Sequence, residues 1–171
     1  MEFFDSHAHL DDEKFNEDRE ELILEIKKAG ITKFISAGYS LEGSIRAIEL
    51  SKKYDFIYPT CGISPNDIPQ TEEELWKNLV KIEELIKENS KIVAVGEIGL
   101  DYYWEKENKE MQKLAFIEQI KIANKYDLPI VIHTREAVMD TLEILKENPV
   151  KEKGIFHCCP LNRELVKEGL K

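Results

Sequence analysis

The sequence has few cysteines and no long apolar run. Only three cysteines occur among 171 residues, and their odd number and irregular spacing are not those of a disulfide framework. No apolar stretch approaches the roughly 20 residues that span a membrane, and the N-terminus lacks the basic and apolar regions of a signal peptide. We therefore expect a cytoplasmic protein with reduced thiols and no membrane partner.

Basic residues are also scarce relative to acidic ones. The chain has 24 lysines and arginines against 34 aspartates and glutamates, which gives a formal net charge of −10. Proteins that bind nucleic acid over a broad surface cluster lysine and arginine against the phosphates, so this composition weighs against such a surface. It does not exclude an enzyme that holds a phosphate through bound metal.

A glycine-rich phosphate loop after the first predicted strand is absent, which disfavours a Rossmann-type nucleotide fold. Short apolar runs alternate instead with segments of helical periodicity, and this alternation predicts an α/β fold with parallel strands. A doubly wound open sheet and a (β/α) barrel both fit. The predicted strands cover residues 3–10, 31–37, 56–63, 91–96, 128–132 and 154–156. The predicted helices cover residues 14–29, 41–54, 108–126, 136–147 and 162–170, and Thr71 opens a further one with a capping box.

The first apolar run ends in two histidines. In the segment FFDSHAHL, Asp5, His7 and His9 are spaced by two, so a strand turns their side chains to one face. Two imidazoles that converge from one strand can chelate a divalent metal, and a neighbouring carboxylate can orient them. An ordinary pair of polar residues at the end of a strand is the alternative.

All four histidines of the chain lie at the C-terminal ends of predicted strands. Besides His7 and His9, these are His133 and His157, and Glu97 ends another strand. Active sites of α/β folds are built at this edge. Four imidazoles and a carboxylate exceed the needs of one tetrahedral ion, and they suit two divalent ions bridged by Glu97, an arrangement that activates water for an in-line displacement.

Four segments of the sequence are more distinctive than these spacings: DSHAHL, VGEIGLDYY, MQKLAFIEQIKIANKYDLPIVIHTREAVMD and FHC. Together they resemble the TatD-related metal-dependent deoxyribonucleases, of the amidohydrolase-like metal hydrolases. The resemblance covers essentially the whole chain. It implies a single domain over residues 1–171 with a TIM-type (β/α) barrel, and an exonucleolytic, two-metal cleavage of DNA phosphodiester bonds. The two cofactor ions would be Mg²⁺, Mn²⁺ or Zn²⁺, and DNA would be bound through them rather than through a basic surface.

The resemblance also implies roles for particular residues. His7 and His9 would bind one metal, His133 and His157 the other, and Glu97 would bridge the two. Asp101 would orient a ligand, so that Glu97, Asp101 and Arg135 form the catalytic set. Arg135 and Tyr102 would lie near the substrate, although each could equally be structural.

Three departures from the family pattern concern the substrate side and the length. Where relatives carry Gly-x-His-Pro-His, this chain has Ser64 in place of the first histidine, which makes Ser64 a candidate substrate contact. After His157 it has Cys158, Cys159 and Pro160 instead of Cys-Phe-Ser-Gly. Relatives run about half as long again and supply a metal-binding aspartate later, and a closed eight-stranded barrel needs about 200 residues or more. We therefore expect the C-terminal part of the barrel, with that ligand, to be missing.

Two other functions remain open at this point. Hydrolysis of a small ester, amide or lactone is typical of the broader amidohydrolase group, although several of those enzymes bridge their metals with a modified lysine rather than a glutamate. The other is a truncated, catalytically impaired barrel that binds metal.

Overall fold

The computed structural model describes residues 1–160 and 162–170, which form six parallel strands connected by helices. The strands are β1 (Phe3–Ala8), β2 (Ile31–Ser36), β3 (Ile57–Cys61), β4 (Ala94–Asp101), β5 (Ile130–Arg135) and β6 (Ile155–His157). The helices are α1 (Arg19–Lys28), α2 (Leu41–Lys53), α3 (Glu72–Glu88), α4 (Lys109–Lys125), α5 (Val138–Glu147) and α6 (Arg163–Gly169). Among the residues so described, no helix combines the length and apolarity needed to cross a bilayer.

The strands lie in the sheet in the same order as in the chain, from β1 to β6, and every neighbouring pair is parallel. A doubly wound sheet would show a reversal of strand order, so the predicted (β/α) barrel is confirmed. The rings of His7 on β1 and His157 on β6 stack with centroids 3.5 Å apart. The sheet therefore curves until side chains of its two outer strands touch at the C-terminal rim.

Apolar side chains fill the space between the sheet and the helices in two clusters. The larger cluster packs α2 to α5 against β3, β4 and β5, with Phe116 and Ile98 completely buried. A smaller cluster joins α1 to β2 and β3 through Ile23, Phe34 and Ile57. The described helices thus anchor the strands whose C-terminal ends carry the histidines.

The first predicted helix begins later than expected. Residues 13–15 form a short 3₁₀ turn, capped by the Asp12 carboxylate, which accepts a hydrogen bond from the Lys14 amide at 2.9 Å. The Arg19 guanidinium then donates to the carbonyl oxygens of Leu10 and Asp12 at 2.6 and 2.7 Å. These bonds hold residues 10–18 as a loop, so the helix starts at Arg19 rather than near residue 14.

Strands β4 and β5 extend further than the apolar runs predicted. Gly99 pairs with His133 and Asp101 with Arg135, so Glu97 and His133 lie within strands, and the expectation that strands end just before them was wrong. A Cβ atom on Gly99 would approach the His133 carbonyl oxygen to 2.0 Å. Because glycine allows this contact, the segment from Glu97 to Asp101 continues the ladder.

Candidate metal centre

Five side chains converge where the C-terminal ends of β1, β4, β5 and β6 meet. We call this set, His7, His9, Glu97, His133 and His157, the rim group. The Glu97 Oε2 atom lies 3.2 Å from His7 Nε2 and 3.5 Å from His9 Nε2, whereas Oε1 lies 3.0 Å from His133 Nδ1. The two oxygens of one carboxylate therefore face two different sets of imidazoles.

His7 and His9 form the first set. Their Nε2 atoms are 3.2 Å apart, and the two rings stand nearly perpendicular with centroids 4.9 Å apart. His9 Nδ1 donates a hydrogen bond to the Ala37 carbonyl oxygen at 2.8 Å. This bond fixes the ring so that His9 Nε2 faces Glu97 and His7.

His133 is held between two carboxylates. Its Nε2 atom lies 3.0 Å from Asp101 Oδ2, and its Nδ1 atom faces Glu97. The Asp101 Oδ1 atom accepts hydrogen bonds from the backbone amides of Tyr103 and Trp104, both at 2.9 Å. Asp101 is fully buried and fixes the orientation of the His133 ring.

His157 completes the second set from β6. Its ring stacks on that of His7, and its centroid lies 6.3 Å from that of His133. Burial, and then repulsion from His7, lower the pKa of His157 to about 4. The ring is therefore neutral at pH 7, which is the form that binds a metal.

The rim group fits a divalent cation. Nδ1 of His7 is buried and has no hydrogen-bond partner within the part of the chain that the structure describes. Two Nε2 atoms that face each other at 3.2 Å need a proton or a cation between them. The donor atoms of His7, His9 and Glu97 lie within 4.8 Å of one another, as do those of Glu97, His133 and His157. Imidazole and carboxylate donors suit Zn²⁺, Mn²⁺ and similar ions.

Glu97 is ionised within this group. Burial alone would raise its pKa, but hydrogen bonds from His133, His7 and His9 hold it well below its usual value. The carboxylate is 7% exposed. Its charge is therefore available, and nearly free of competing water, to bind a cation from either oxygen.

The structure separates the two residues predicted to lie near the substrate. Arg135 follows His133 by two residues on β5, and its guanidinium carbon lies 4.1 Å from the centroid of the Tyr103 ring at the exposed rim. Tyr102 is 8% exposed, and its hydroxyl donates to Asp140 on α5 at 2.7 Å. Tyr102 follows the last residue of β4, and its hydroxyl is held by Asp140, so a contact of Tyr102 with the substrate stays a prediction.

Ser64 lies on a cleft beside Glu97. The cleft has a volume of about 240 Å³, and its lining includes His9, Tyr39, Asn66 and Asp67. The Ser64 hydroxyl donates to Asp67 Oδ2 at 2.6 Å. Burial raises the pKa of Asp67, a cleft carboxylate that the sequence analysis did not single out. Its signal was the ISPND segment, where two polar residues follow a proline just after a strand.

Gln112 is a second residue that sequence reasoning missed. It is fully buried on α4; its Oε1 accepts from the Asp101 amide at 2.8 Å, and its Nε2 donates to the Asp101 carbonyl oxygen at 3.0 Å. Gln112 therefore fixes the backbone of the residue that orients His133. A polar residue on the apolar side of a helix was the available signal.

Two other aspartates do not join the rim group. The Asp5 carboxylate accepts from the backbone amide of His7 at 3.1 Å. Asp140 pairs with Lys113 at 2.8 Å and with the Tyr102 hydroxyl. Neither carboxylate supplies the aspartate ligand that the family resemblance leads one to expect.

Comparisons with known proteins agree with this geometry. The family model described as TatD related DNase matches residues 4–171. An uncharacterized metal-dependent hydrolase of Bacillus subtilis, YabD, is 41% identical over 171 residues, which cover 98% of this chain and 65% of that protein. An uncharacterized metal-dependent hydrolase of Methanocaldococcus jannaschii, MJ1582, is 36% identical over 98% of this chain and 64% of its own length. The chain thus spans just under two thirds of these relatives.

Solved structures show the same arrangement of strands and helices. The crystal structure of YJJV, a TatD homolog from Escherichia coli, superposes with a TM-score of 0.90 at 27% identity and covers 98% of this chain and 64% of that one. A TatD family hydrolase from Entamoeba histolytica gives a TM-score of 0.87 at 27% identity, over 99% of this chain and 62% of its own. The six β/α units described above therefore match the corresponding part of a TIM-type barrel.

Proposed function

Because the chain belongs to the TatD-related DNase family, we propose that it forms part of a metal-dependent hydrolase that cleaves phosphodiester bonds of DNA. The observation that carries the proposal is the position of Glu97, whose two oxygens face His7 with His9 on one side and His133 on the other. A carboxylate in this position suits a pair of cations better than a single one. We therefore propose two divalent ions per chain.

Each residue of the rim group has a distinct task in this proposal. His7 and His9 would hold one ion, His133 and His157 the other, and Glu97 would contact both. Divalent ions in such a centre polarise a phosphoryl oxygen and lower the pKa of water. Asp101 keeps the His133 ring in place, and Arg135 at the open rim carries a positive charge that can bind a phosphate of the substrate strand.

The cleft beside Glu97 offers polar groups to the substrate. Ser64 and Asp67 share a hydrogen bond there, and Asn66 donates to Asp101 Oδ2 at 3.5 Å. These groups can fix the sugar or phosphate next to the scissile bond. The acidic surface elsewhere does not attract DNA, so binding would depend on the bound ions and be lost with them.

A nuclease assay tests the proposal. Single-stranded DNA with a 5′ label is incubated with the protein and Mg²⁺ or Mn²⁺, and shortening from the 3′ end is followed on a gel. We expect cleavage that EDTA abolishes and that His133→Ala lowers by about 100-fold or more, since even a residue that orients a metal ligand is worth ~10–100-fold.

A matched set of substrates and one surface variant complete the test. Lys125→Ala, on the outer face of α4, should cleave DNA as the original protein does. Undiminished activity in His133→Ala would remove the assigned metal role. Hydrolysis of lactones or cyclic amides with no cleavage of DNA would replace the nuclease by a small-ester or amide hydrolase, and metal binding without any hydrolysis would indicate an impaired barrel.

A further inference from the structure

The geometry points to a nucleobase-stacking site made by Tyr103, Trp104 and Arg135, which binds an unpaired base of the DNA strand next to the rim group. We call these three residues the aromatic platform. The inference rests on the proposed function, and it assigns to these residues the recognition of unpaired DNA.

The platform combines two exposed aromatic rings with a guanidinium. The rings of Tyr103 and Trp104 meet edge to face with centroids 4.7 Å apart. The Arg135 guanidinium carbon lies 4.1 Å from the Tyr103 centroid and 5.5 Å from the Trp104 centroid. Tyr103 is 41% exposed and Trp104 is 64% exposed. Adjacent aromatic rings that remain this open offer faces on which a planar ligand can stack.

One carboxylate connects the platform to the rim group. Asp101 Oδ1 accepts from the amides of Tyr103 and Trp104, whereas Asp101 Oδ2 contacts His133 Nε2. Arg135 lies two residues beyond His133 on β5, which places the two Cα atoms about 6–7 Å apart. The shared carboxylate of Asp101 and the common strand β5 therefore fix the position of the platform beside His133 of the rim group.

The positive charge of Arg135 also favours a DNA strand as the ligand of the platform. In the described ranges, 1–160 and 162–170, Arg135 forms no salt bridge with a carboxylate, although the chain carries a net charge of −10. A guanidinium stacked on an aromatic ring still has donors for a phosphate oxygen. Aromatic faces with a nearby cation bind the bases of single strands with little sequence preference. Both faces of a paired base are already stacked in the duplex interior, so the platform selects an unpaired base.

Fluorescence can report stacking on Trp104 directly, because the chain has only two tryptophans. Trp76, on α3, is 41% exposed and donates from Nε1 to Glu72 on the same helix. In Trp76→Phe the remaining tryptophan is Trp104, and in Trp104→Phe it is Trp76. Each variant is titrated in Mg²⁺ with a single-stranded oligonucleotide, with the same strand lacking its bases, and with a blunt duplex of the same sequence.

We expect saturable quenching in Trp76→Phe by the single strand and little quenching by the abasic strand or the duplex. Trp104→Phe should show none. Trp104→Ala should bind the single strand about tenfold more weakly or worse, whereas Trp76→Ala should bind it as tightly as the original chain. Three results would contradict the platform. They are equal quenching of Trp76→Phe by the intact and the abasic strand, equal quenching of Trp76→Phe by the single strand and the duplex, and equal quenching of Trp76→Phe and Trp104→Phe by the single strand.

Cleavage measured in the same samples separates this inference from the proposed function. Quenching without cleavage would leave the platform in place and contradict the nuclease. Cleavage without quenching would leave the nuclease in place and contradict the platform. If Trp104→Ala raises KM for single-stranded DNA and leaves kcat within about twofold, its role is binding of the strand. A fall in kcat alone, with KM unchanged, would contradict that role.

Discussion

Single hydrogen bonds decide which nitrogen of His9 and of His133 faces the centre of the rim group. The Ala37 carbonyl oxygen takes the Nδ1 proton of His9, and Asp101 occupies the Nε2 side of His133. Each ring therefore presents its other nitrogen to Glu97. Partners of this kind fix the tautomer and the orientation of a metal ligand before the metal arrives.

Protons should leave His9 and His133 when a metal binds. Burial lowers the pKa of each ring, but the bond to Glu97 outweighs it, so both pKa values lie above the ordinary 6.5. At pH 6.5 the metal-free rings are therefore mainly protonated, and metal affinity should fall as the pH decreases through these raised values. His157, with a pKa of about 4, releases no proton there. Calorimetric titration with Mn²⁺ in two buffers of different ionisation enthalpy measures the released protons, and identical heats in both buffers would contradict this protonation.

The residues of the rim group were predictable because each follows a short apolar run, and runs of parallel strands end at a common edge. The division between Tyr102 and Arg135 was harder, since it depends on where β4 and β5 end. Arg135 is the last residue of β5, whereas Tyr102 lies one residue beyond the end of β4. No pattern in the sequence indicated that Tyr103 and Trp104 pack beside Arg135, because that contact joins segments about 30 residues apart.

At the scale of whole elements, helix α4 positions two loops with two buried glutamines. Gln112 hydrogen-bonds the backbone of Asp101, and Gln119 accepts from the Ile63 amide at 2.7 Å and donates to the Ile63 carbonyl oxygen at 3.0 Å. Both side chains are fully buried. Helix α4 therefore serves as the support for the ends of β3 and β4, although the sequence presented it as an ordinary amphipathic helix.

Replacing each glutamine by leucine separates stability from positioning. Gln112→Leu and Gln119→Leu each leave a backbone N–H and C=O unpaired in the interior, and each should cost about 2–4 kcal/mol of the free energy of unfolding. Only Gln112→Leu should also weaken metal binding, because Asp101 orients His133. Urea unfolding and Mn²⁺ titration of both variants check this. Equal loss of metal affinity in both would mean that the effect is only structural.

The ends of β4 and α1 show why the bounds of strands and helices were predicted less well than their order. The apolar run of β4 ends at Gly96, yet the strand continues to Asp101 because its backbone pairs with β5 as far as Arg135. Backbone pairing does not need apolar side chains, so polar residues at an active-site edge hide the true end of a strand. At α1 the prediction was too long instead of too short. The hydrogen bonds of Arg19 hold the preceding residues outside the helix, so it begins at Arg19 and not near residue 14.

At the scale of the whole molecule, the rim group joins strands that are far apart in the chain. Its members come from β1, β4, β5 and β6, or directly after them, and the stacked rings of His7 and His157 bring the outer strands together. A cation bound there interacts only with the folded arrangement. Metal binding and barrel stability should therefore be linked.

Thermal unfolding measures this link. At a free Mn²⁺ concentration 100 times the dissociation constant, binding stabilises the fold by about 2.7 kcal/mol, which raises Tm by about 5–11 °C for a chain of this size. EDTA should remove the increase. A Tm that is unchanged by Mn²⁺ would show that the ion does not connect these strands.

The central claim is that Glu97 joins two sets of imidazoles into one metal centre, and the number of bound ions tests it most directly. Equilibrium dialysis against Mn²⁺ compares the original chain with Glu97→Gln and with the control variant Glu83→Gln. In the original chain, the Glu83 carboxylate lies on the outer surface and accepts a hydrogen bond from the Tyr126 hydroxyl at 3.0 Å. We predict two ions per chain in the original protein and in Glu83→Gln, and at most one weakly bound ion in Glu97→Gln. Two ions bound to Glu97→Gln with unchanged affinity would contradict the claim.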